Sequence, residues 1–179
     1  MEHIKNDLFE FEVGTDGIGI LSINQVNNPT NLFSTEFITA YIELANQVVA
    51  DKEIKGMILT SGRSMFMPGA DLRELQTMGD DPQKTFDGTM QMHQALRALE
   101  TAGKPFVAAI NGTAMGGGLE LCLTCHHRIV LNSVKIKLGF PEAKVGLLPA
   151  GGGNSKVPYL LGIQNLSLIH ISEPTLSLI

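Results

Sequence analysis

Apolar and polar positions alternate from Leu8 to Val13 around Phe9 and Phe11, and alternate again from Ile18 to Ile23. Period-two patterning on both sides of Gly14-Thr-Asp-Gly17 predicts a β-hairpin. Asn27-Asn-Pro-Thr-Asn31 breaks that pattern, and Ser34 with Glu36 close behind predicts a helix start. The period then becomes helical. Phe37, Ile38, Tyr41, Ile42, Leu44, Ala45, Val48 and Val49 share a stripe roughly 160° wide, with Glu43, Asn46 and Gln47 facing away. This is the signature of a helix that covers a core.

Gly56 to Ser61 and Phe106 to Ile110 are short apolar runs bounded by turn residues, which predicts two buried strands. Between them, Ala70-Asp-Leu-Arg-Glu-Leu75 predicts a short helix with Asp71 as N-cap and Glu74 as the third position of a capping box. Pro82 to Ala102 predicts a longer helix with Phe86, Met90, His93 and Leu96 on one face and Met92 and Leu99 on its shoulder. Packing is the ordinary use of such a Met and His stripe. A further strand is expected at Arg128 to Leu131, and a short amphipathic helix from Lys156. Strands separated by helical connections long enough for parallel crossovers define an α/β class.

Composition narrows the possibilities without choosing among them. The 179 residues suit one domain, and a chain of this size buries roughly 70 % of its unfolded surface. With 44 % apolar and 17 % charged residues the chain is globular, and a net charge of −5 argues against nucleic acid or an anionic membrane as partner. Met1 to Leu8 holds no apolar signal core, and no stretch approaches the roughly 18 apolar residues of a membrane span, so a cytoplasmic protein is expected.

The candidate chemistry gathers at Pro105 to Glu120, where a strand pattern meets Asn111-Gly-Thr-Ala-Met-Gly116-Gly-Gly and then a mostly apolar helix. The first N–H groups of a helix have no internal partner and favour negative charge. Glycine at 116 to 118 serves either such a site or simply close packing of helix on strand. Glu120 favours the site, because a carboxylate in an apolar helix is costly to bury. Ala70 marks a second helix mouth, and two backbone donors from adjacent parallel strands would make an oxyanion hole. Asp71 reads only as a cap. A second carboxylate, Glu142, lies between Pro141 and an apolar stretch ending at Pro149. Glu120 and Glu142 could share one water, one taking a proton and the other giving one, provided their pKa values are pushed apart. Gly151-Gly-Gly153 could suggest a second anion site but reads as backbone clearance near that pocket.

Other motifs lead elsewhere. Cys122-Leu-Thr-Cys125-His126 spells the c-type haem attachment pattern and, with His127, a crowded zinc set. Without an export signal, and continuing an apolar helix, these cysteines read as buried structural thiols, and no metal is expected. The glycine turn matches neither the phosphate loop G-x-x-x-x-G-K-S/T nor G-x-G-x-x-G, so neither nucleotide hydrolysis nor nicotinamide binding is supported.

Three segments, Phe66-Met-Pro-Gly-Ala-Asp71-Leu, Asn111 to Glu120, and Leu138-Gly-Phe-Pro-Glu142-Ala-Lys-Val-Gly146-Leu-Leu-Pro149, together closely resemble the crotonase, or enoyl-CoA hydratase/isomerase, superfamily. The resemblance covers about residues 7 to 164. The Glu-to-Glu spacing and the Cys-His-His-Arg segment are most similar to the hydratase portion of multifunctional fatty-acid oxidation enzymes. It implies a crotonase-like spiral of ββα units that binds an acyl-CoA thioester, whose oxygen accepts from the N–H groups of Ala70 and Gly117. It further implies hydration of a trans-2-enoyl-CoA, with Glu142 giving a proton to Cα and Glu120 helping to activate water. Substrate contacts would come from Phe66, Met67, Pro68, Gly69, Ala70, Asp71, Leu72, Gly116 and Gly117. Pro68 lacks an N–H but keeps the carbonyl that could meet the adenine.

Isomerases of this family commonly lack the carboxylate at the position of Glu120, so the pair favours hydratase. The alternatives are a Δ3-Δ2-enoyl-CoA isomerase and an inactive acyl-CoA-binding fragment. No cofactor is implied beyond the CoA of the substrate. The resemblance also implies a homo-oligomer, or a complex with a thiolase subunit, in the full-length protein. Residues 1–165 are expected to form the hydratase-like domain, truncated at its C-terminal side. Residues 166–179, with a repeated Ser-Leu-Ile theme, look foreign to it.

Overall fold

The computed structural model of the chain describes residues 3–78 and 81–162. The atypical segment 166–179 and the last residues of the expected domain lie outside the described residues. The opening hairpin forms where alternation predicts it, and a strand that the pattern did not reveal, His3–Lys5 (β1), joins its outer edge. Phe9–Val13 (β2) and Ile18–Ile23 (β3) pair antiparallel, and Phe9, Phe11, Leu21 and Ile23 point into the core. Phe11 fits only because its neighbour is glycine: a Cβ on Gly19 would lie 2.6 Å from its ring.

Ser34 Oγ accepts from Phe37 N at 3.2 Å and starts the helix Thr35–Ala50 (α1), whose Phe37, Ile38, Tyr41, Leu44, Ala45 and Val48 are buried as the stripe requires. Gly56–Ser61 (β4) runs parallel to β3. The helices Leu72–Met78 (α2) and Pro82–Glu100 (α3) then return the chain to Phe106–Ile110 (β5), parallel to β4. Ala114–Met115 (β6) precedes the helix Gly117–Thr124 (α4), and His127–Val130 (β7) closes the main sheet beside β5. Leu138–Gly139 (β8) pairs with β6 in a separate parallel ladder. A 3₁₀ turn, Glu142–Val145, and the helix Gly153–Leu161 (α5) complete the described chain. The main sheet has the order β1-β2-β3-β4-β5-β7.

Three expectations need correction. Asp71 does cap α2, its Oδ1 accepting from Arg73 N at 2.9 Å, but the reciprocal Glu74 half of the capping box does not form. Glu74 Oε2 instead accepts from the N and Oγ1 of Thr35, at 2.9 and 3.0 Å, tying α2 to the start of α1. On α3 only Leu96 and Leu99 are buried, while Phe86 and Met90 are exposed. The last helix begins at Gly153 rather than Lys156.

Among the described residues, no helix is long and apolar enough to cross a membrane. Cys122, on α4, and Cys125, at its C-terminal end, are free and buried in the core. Burial raises both thiols, Cys125 to about 12, which keeps them protonated and unreactive.

One buried polar side chain fastens the loop that later carries the site. Asn31, fully buried, accepts from Gln25 N at 3.1 Å. Its Nδ2 lies 3.2, 3.0 and 3.0 Å from the Ile23 carbonyl, Ser61 Oγ and the Phe66 carbonyl. Unpaired buried groups each cost about 1–3 kcal/mol. Asn31→Ala strands several at once, so urea unfolding should show a loss of about 3 kcal/mol relative to the parent chain.

Candidate active site

The loop after β4 and the turn after β5 meet backbone to backbone. Asn111 pairs with the end of β4, its Nδ2 donating to the Ser61 carbonyl at 2.7 Å. Thr113 O accepts from the N–H groups of Phe66 and Met67, both at 3.1 Å, and Met67 O accepts from Met115 N at 3.0 Å. So close a seam excludes side chains. A Cβ on Gly112 would lie 2.4 Å from Ser64 O, and one on Gly118 only 2.2 Å from Met67 O. The glycine run is thus used for close packing and for a helix start at the same time.

Beyond the seam the chain turns into α4 through Gly116, whose φ of 51° favours glycine. A Cβ on Gly116 would lie 3.8 Å from Gly69 Cα, so the two helix mouths are neighbours. Phe33 bridges them. Its backbone accepts from Asp71 N at 3.2 Å and donates to Gly69 O at 2.9 Å, while its ring would lie 3.0 Å from a Cβ on Gly117. These pairings leave the N–H of Ala70, and that of Gly117 at the head of α4, without an acceptor among the described residues. The parallel edge expected from the sequence is only part of the cause. The junctions meet through the bridges Phe33 to Ala70 and Met67 to Ala114 and through the β6–β8 ladder.

Glu120, 5 % exposed, sits in the first turn of α4. Its Oε1 accepts from Gly151 N at 2.7 Å and Gly153 N at 2.9 Å, and Oε2 takes no hydrogen bond from the described residues. The expectation of mere backbone clearance at 151–153 is therefore corrected: this glycine run supplies the donors that make a buried carboxylate tolerable. Burial raises the Glu120 pKa, opposed by the Gly153 and Gly151 donors and by the nearby His93 and Lys156. The glycine run hints at an anion site, but its acceptor, Glu120, lies about thirty residues away in sequence and no local pattern points to it.

Glu142 lies against the same turn, its Oε1 3.0 Å from where a Cβ on Gly116 would stand. Its Oε2 is buried without a hydrogen-bond partner among the described residues. Burial first, and then the charge of Glu120, raise its pKa to about 7, whereas its own backbone N–H lowers it. The carboxyl can accordingly exist in either protonation state near neutrality.

The sites expected to meet substrate divide into two groups. A groove of about 350 Å³ is lined by Leu32, Pro68, Gly69, Ala70, Asp71, Leu72 and Arg73. Phe66 and Met67 are instead wholly buried, and their backbone groups are consumed by Thr113, Asn31 and Met115, so they shape the loop from behind. Gly116 is likewise committed, donating to Gly139 O and accepting from Glu120 N, both at 2.9 Å. Asp71 pairs with Arg73, with Oδ2 2.8 Å from Nη2, which holds its pKa low.

This fold and this pair of carboxyls define a class. The family model for enoyl-CoA hydratase/isomerase matches residues 16–171, and the chain belongs to that family, with its crotonase fold. It is 40 % identical over 150 residues to the fatty acid oxidation complex subunit alpha of Shewanella frigidimarina, a match covering 83 % of this chain and 21 % of that protein. The counterpart from Shewanella oneidensis is also 40 % identical, over 152 residues. The chain thus spans about a fifth of the length of the curated relatives it matches. Among solved structures, an enoyl-CoA hydratase from Bacillus anthracis is 27 % identical with a TM-score of 0.76, covering 88 % of this chain and 59 % of that one. The enoyl-CoA hydratase of Thermoplasma volcanium shares the fold with a TM-score of 0.83 at 23 % identity, over 96 % of this chain and 66 % of that one.

Two predictions follow from the geometry. Gly118→Ala forces a methyl group into Met67 O, and urea titration should show a loss of about 3 kcal/mol, whereas Gly88→Ala, with open space around it, should gain about 0.5–1 kcal/mol. The folded chain holds the Glu142 proton up to about pH 7, but the unfolded chain releases it in the ordinary carboxylate range. Stability tied to this group is therefore present at low pH and lost as pH rises through that window. Glu142→Gln should raise Tm over the parent at about pH 8, with the gap shrinking toward about pH 5.

Proposed function

We propose that the chain catalyses the reversible addition of water to a trans-2-enoyl-CoA, giving a 3-hydroxyacyl-CoA in fatty-acid β-oxidation. The observation that carries this reading is the placement of two environment-shifted carboxyls, Glu120 and Glu142, beside the neighbouring free N–H groups of Ala70 and Gly117. The thioester oxygen accepts from the two backbone donors, which stabilise the charge that develops when water attacks. The water oxygen bonds to Cβ as Glu120 takes its proton. Glu142 delivers a proton to Cα, and transfer between the carboxyls through the next water resets the pair.

The asymmetry of the carboxyls supports this division of work. Glu120 has one oxygen fixed by two N–H donors and the other open to a water, as a base in one position requires. Glu142, with a pKa of about 7, is able to carry a proton at neutral pH. The groove along Pro68 to Leu72 accommodates the CoA portion, with the Pro68 carbonyl available to the adenine. In this reading the chain is the hydratase part of a multifunctional protein that forms a homo-oligomer or a complex with a thiolase subunit.

Conversion of crotonyl-CoA, followed by the loss of its enoyl-thioester absorbance, tests the proposal on this chain and on a chimera that continues it with the remaining hydratase region of a Shewanella relative. Glu120→Gln and Glu142→Gln should each lower kcat by about 10²–10⁴. Turnover that survives either substitution overturns the assigned roles. Double-bond migration in a 3-enoyl-CoA without hydration would mark an isomerase, and acyl-CoA binding without turnover a binding module.

A further inference from the structure

The loop Pro149–Gly153 that cradles Glu120 is tethered to α3 by a histidine outside the proposed acid–base pair. His93 Nε2 hydrogen-bonds the carbonyl of Ala150. The donor that reaches Glu120 at 2.7 Å is the N–H of Gly151, which belongs to the same planar peptide group as that carbonyl. His93 therefore grips one end of a rigid unit, and Glu120 accepts from the other. A proton donor on the oxygen also polarises the peptide and strengthens its N–H as a donor.

The surroundings leave this grip to His93. The N-terminal half of α3 is exposed at Phe86 and Met90, and its far end is fixed through Glu100, which pairs with Lys156 of α5 and with Arg97. Inside the loop, Asn154 Nδ2 donates to Pro149 O at 2.9 Å, which closes the loop on itself without orienting the Ala150 peptide. His93 is also close enough to Glu120 to lower its pKa.

We infer that His93 is a positioning residue: through the Ala150–Gly151 peptide it orients the N–H that fixes Glu120 Oε1, so that Oε2 is presented to the reacting water. The kinetic consequence rests on the hydratase reading above; the ordering of the peptide does not. Either the Nε2–H tautomer or the imidazolium can donate to the carbonyl. A glutamine amide has a donor at similar reach, whereas leucine keeps volume and loses the bond.

Amide hydrogen exchange at Gly151, followed by NMR, provides a test that does not depend on turnover, and crotonyl-CoA kinetics provide the second. In His93→Leu the Gly151 amide should exchange about tenfold faster, and kcat should fall about tenfold with KM within about twofold, while Tm stays near that of the parent. His93→Gln should recover most of both effects. Unchanged exchange in His93→Leu, a glutamine variant no better than leucine, or unchanged kcat in an active enzyme whose Gly151 amide has loosened would each overturn the proposal. A parent chain and chimera that bind but do not hydrate crotonyl-CoA would defeat the hydratase reading alone, leaving the exchange experiment to decide whether His93 orders the cradle.

Discussion

Two stretches of main chain approach each other with no side chain between them, and the architecture around the candidate site depends on that contact. Met67 O receives Met115 N on one side, and on the other lies only 2.2 Å from where a Cβ on Gly118 would be. Any larger residue there would pry the loop after β4 from the turn after β5. Ala70 and Gly117 would then separate, and with them the two N–H groups on which the proposed thioester recognition relies. Asn31 holds the same loop from beneath, spending its amide on groups from three segments.

Around this seam the electrostatics are deliberately unequal. Both carboxyls are pushed up by burial, but Glu120 has two peptide donors to offset that cost and Glu142 has a buried oxygen with none among the described residues. An orphaned carboxyl oxygen inside a protein is unfavourable unless something else meets it, which is why its surroundings favour the protonated form. The difference between the two groups comes from what faces them, since the side chains are chemically identical. The same logic sets the cysteines apart: Cys122 and Cys125 are also raised by burial, yet they face the apolar core from α4 and its C-terminal end, where burial only silences them.

The amino-acid sequence determined much of the frame. Alternation placed β2 and β3, the helical stripe from Phe37 to Val48 placed α1 with its Ser34 cap, and bounded apolar runs placed β4 and β5. These patterns are legible because burial imposes a period on neighbouring residues, and period is a local property. Both carboxyls stood out for the related reason that charge within an apolar run is costly.

What only the tertiary structure decided involves partners distant along the chain. Glu74 caps nothing of its own helix because Thr35 meets it first, and Phe86 and Met90 stay exposed because no described element covers that end of α3. Gly151 and Gly153 act through their N–H groups, and His93 reaches a carbonyl, so neither interaction depends on a pattern that a neighbour in sequence could reveal. Residue identity announces hydrophobicity and charge, whereas the direction in which a peptide dipole points is known only once the chain has closed around it.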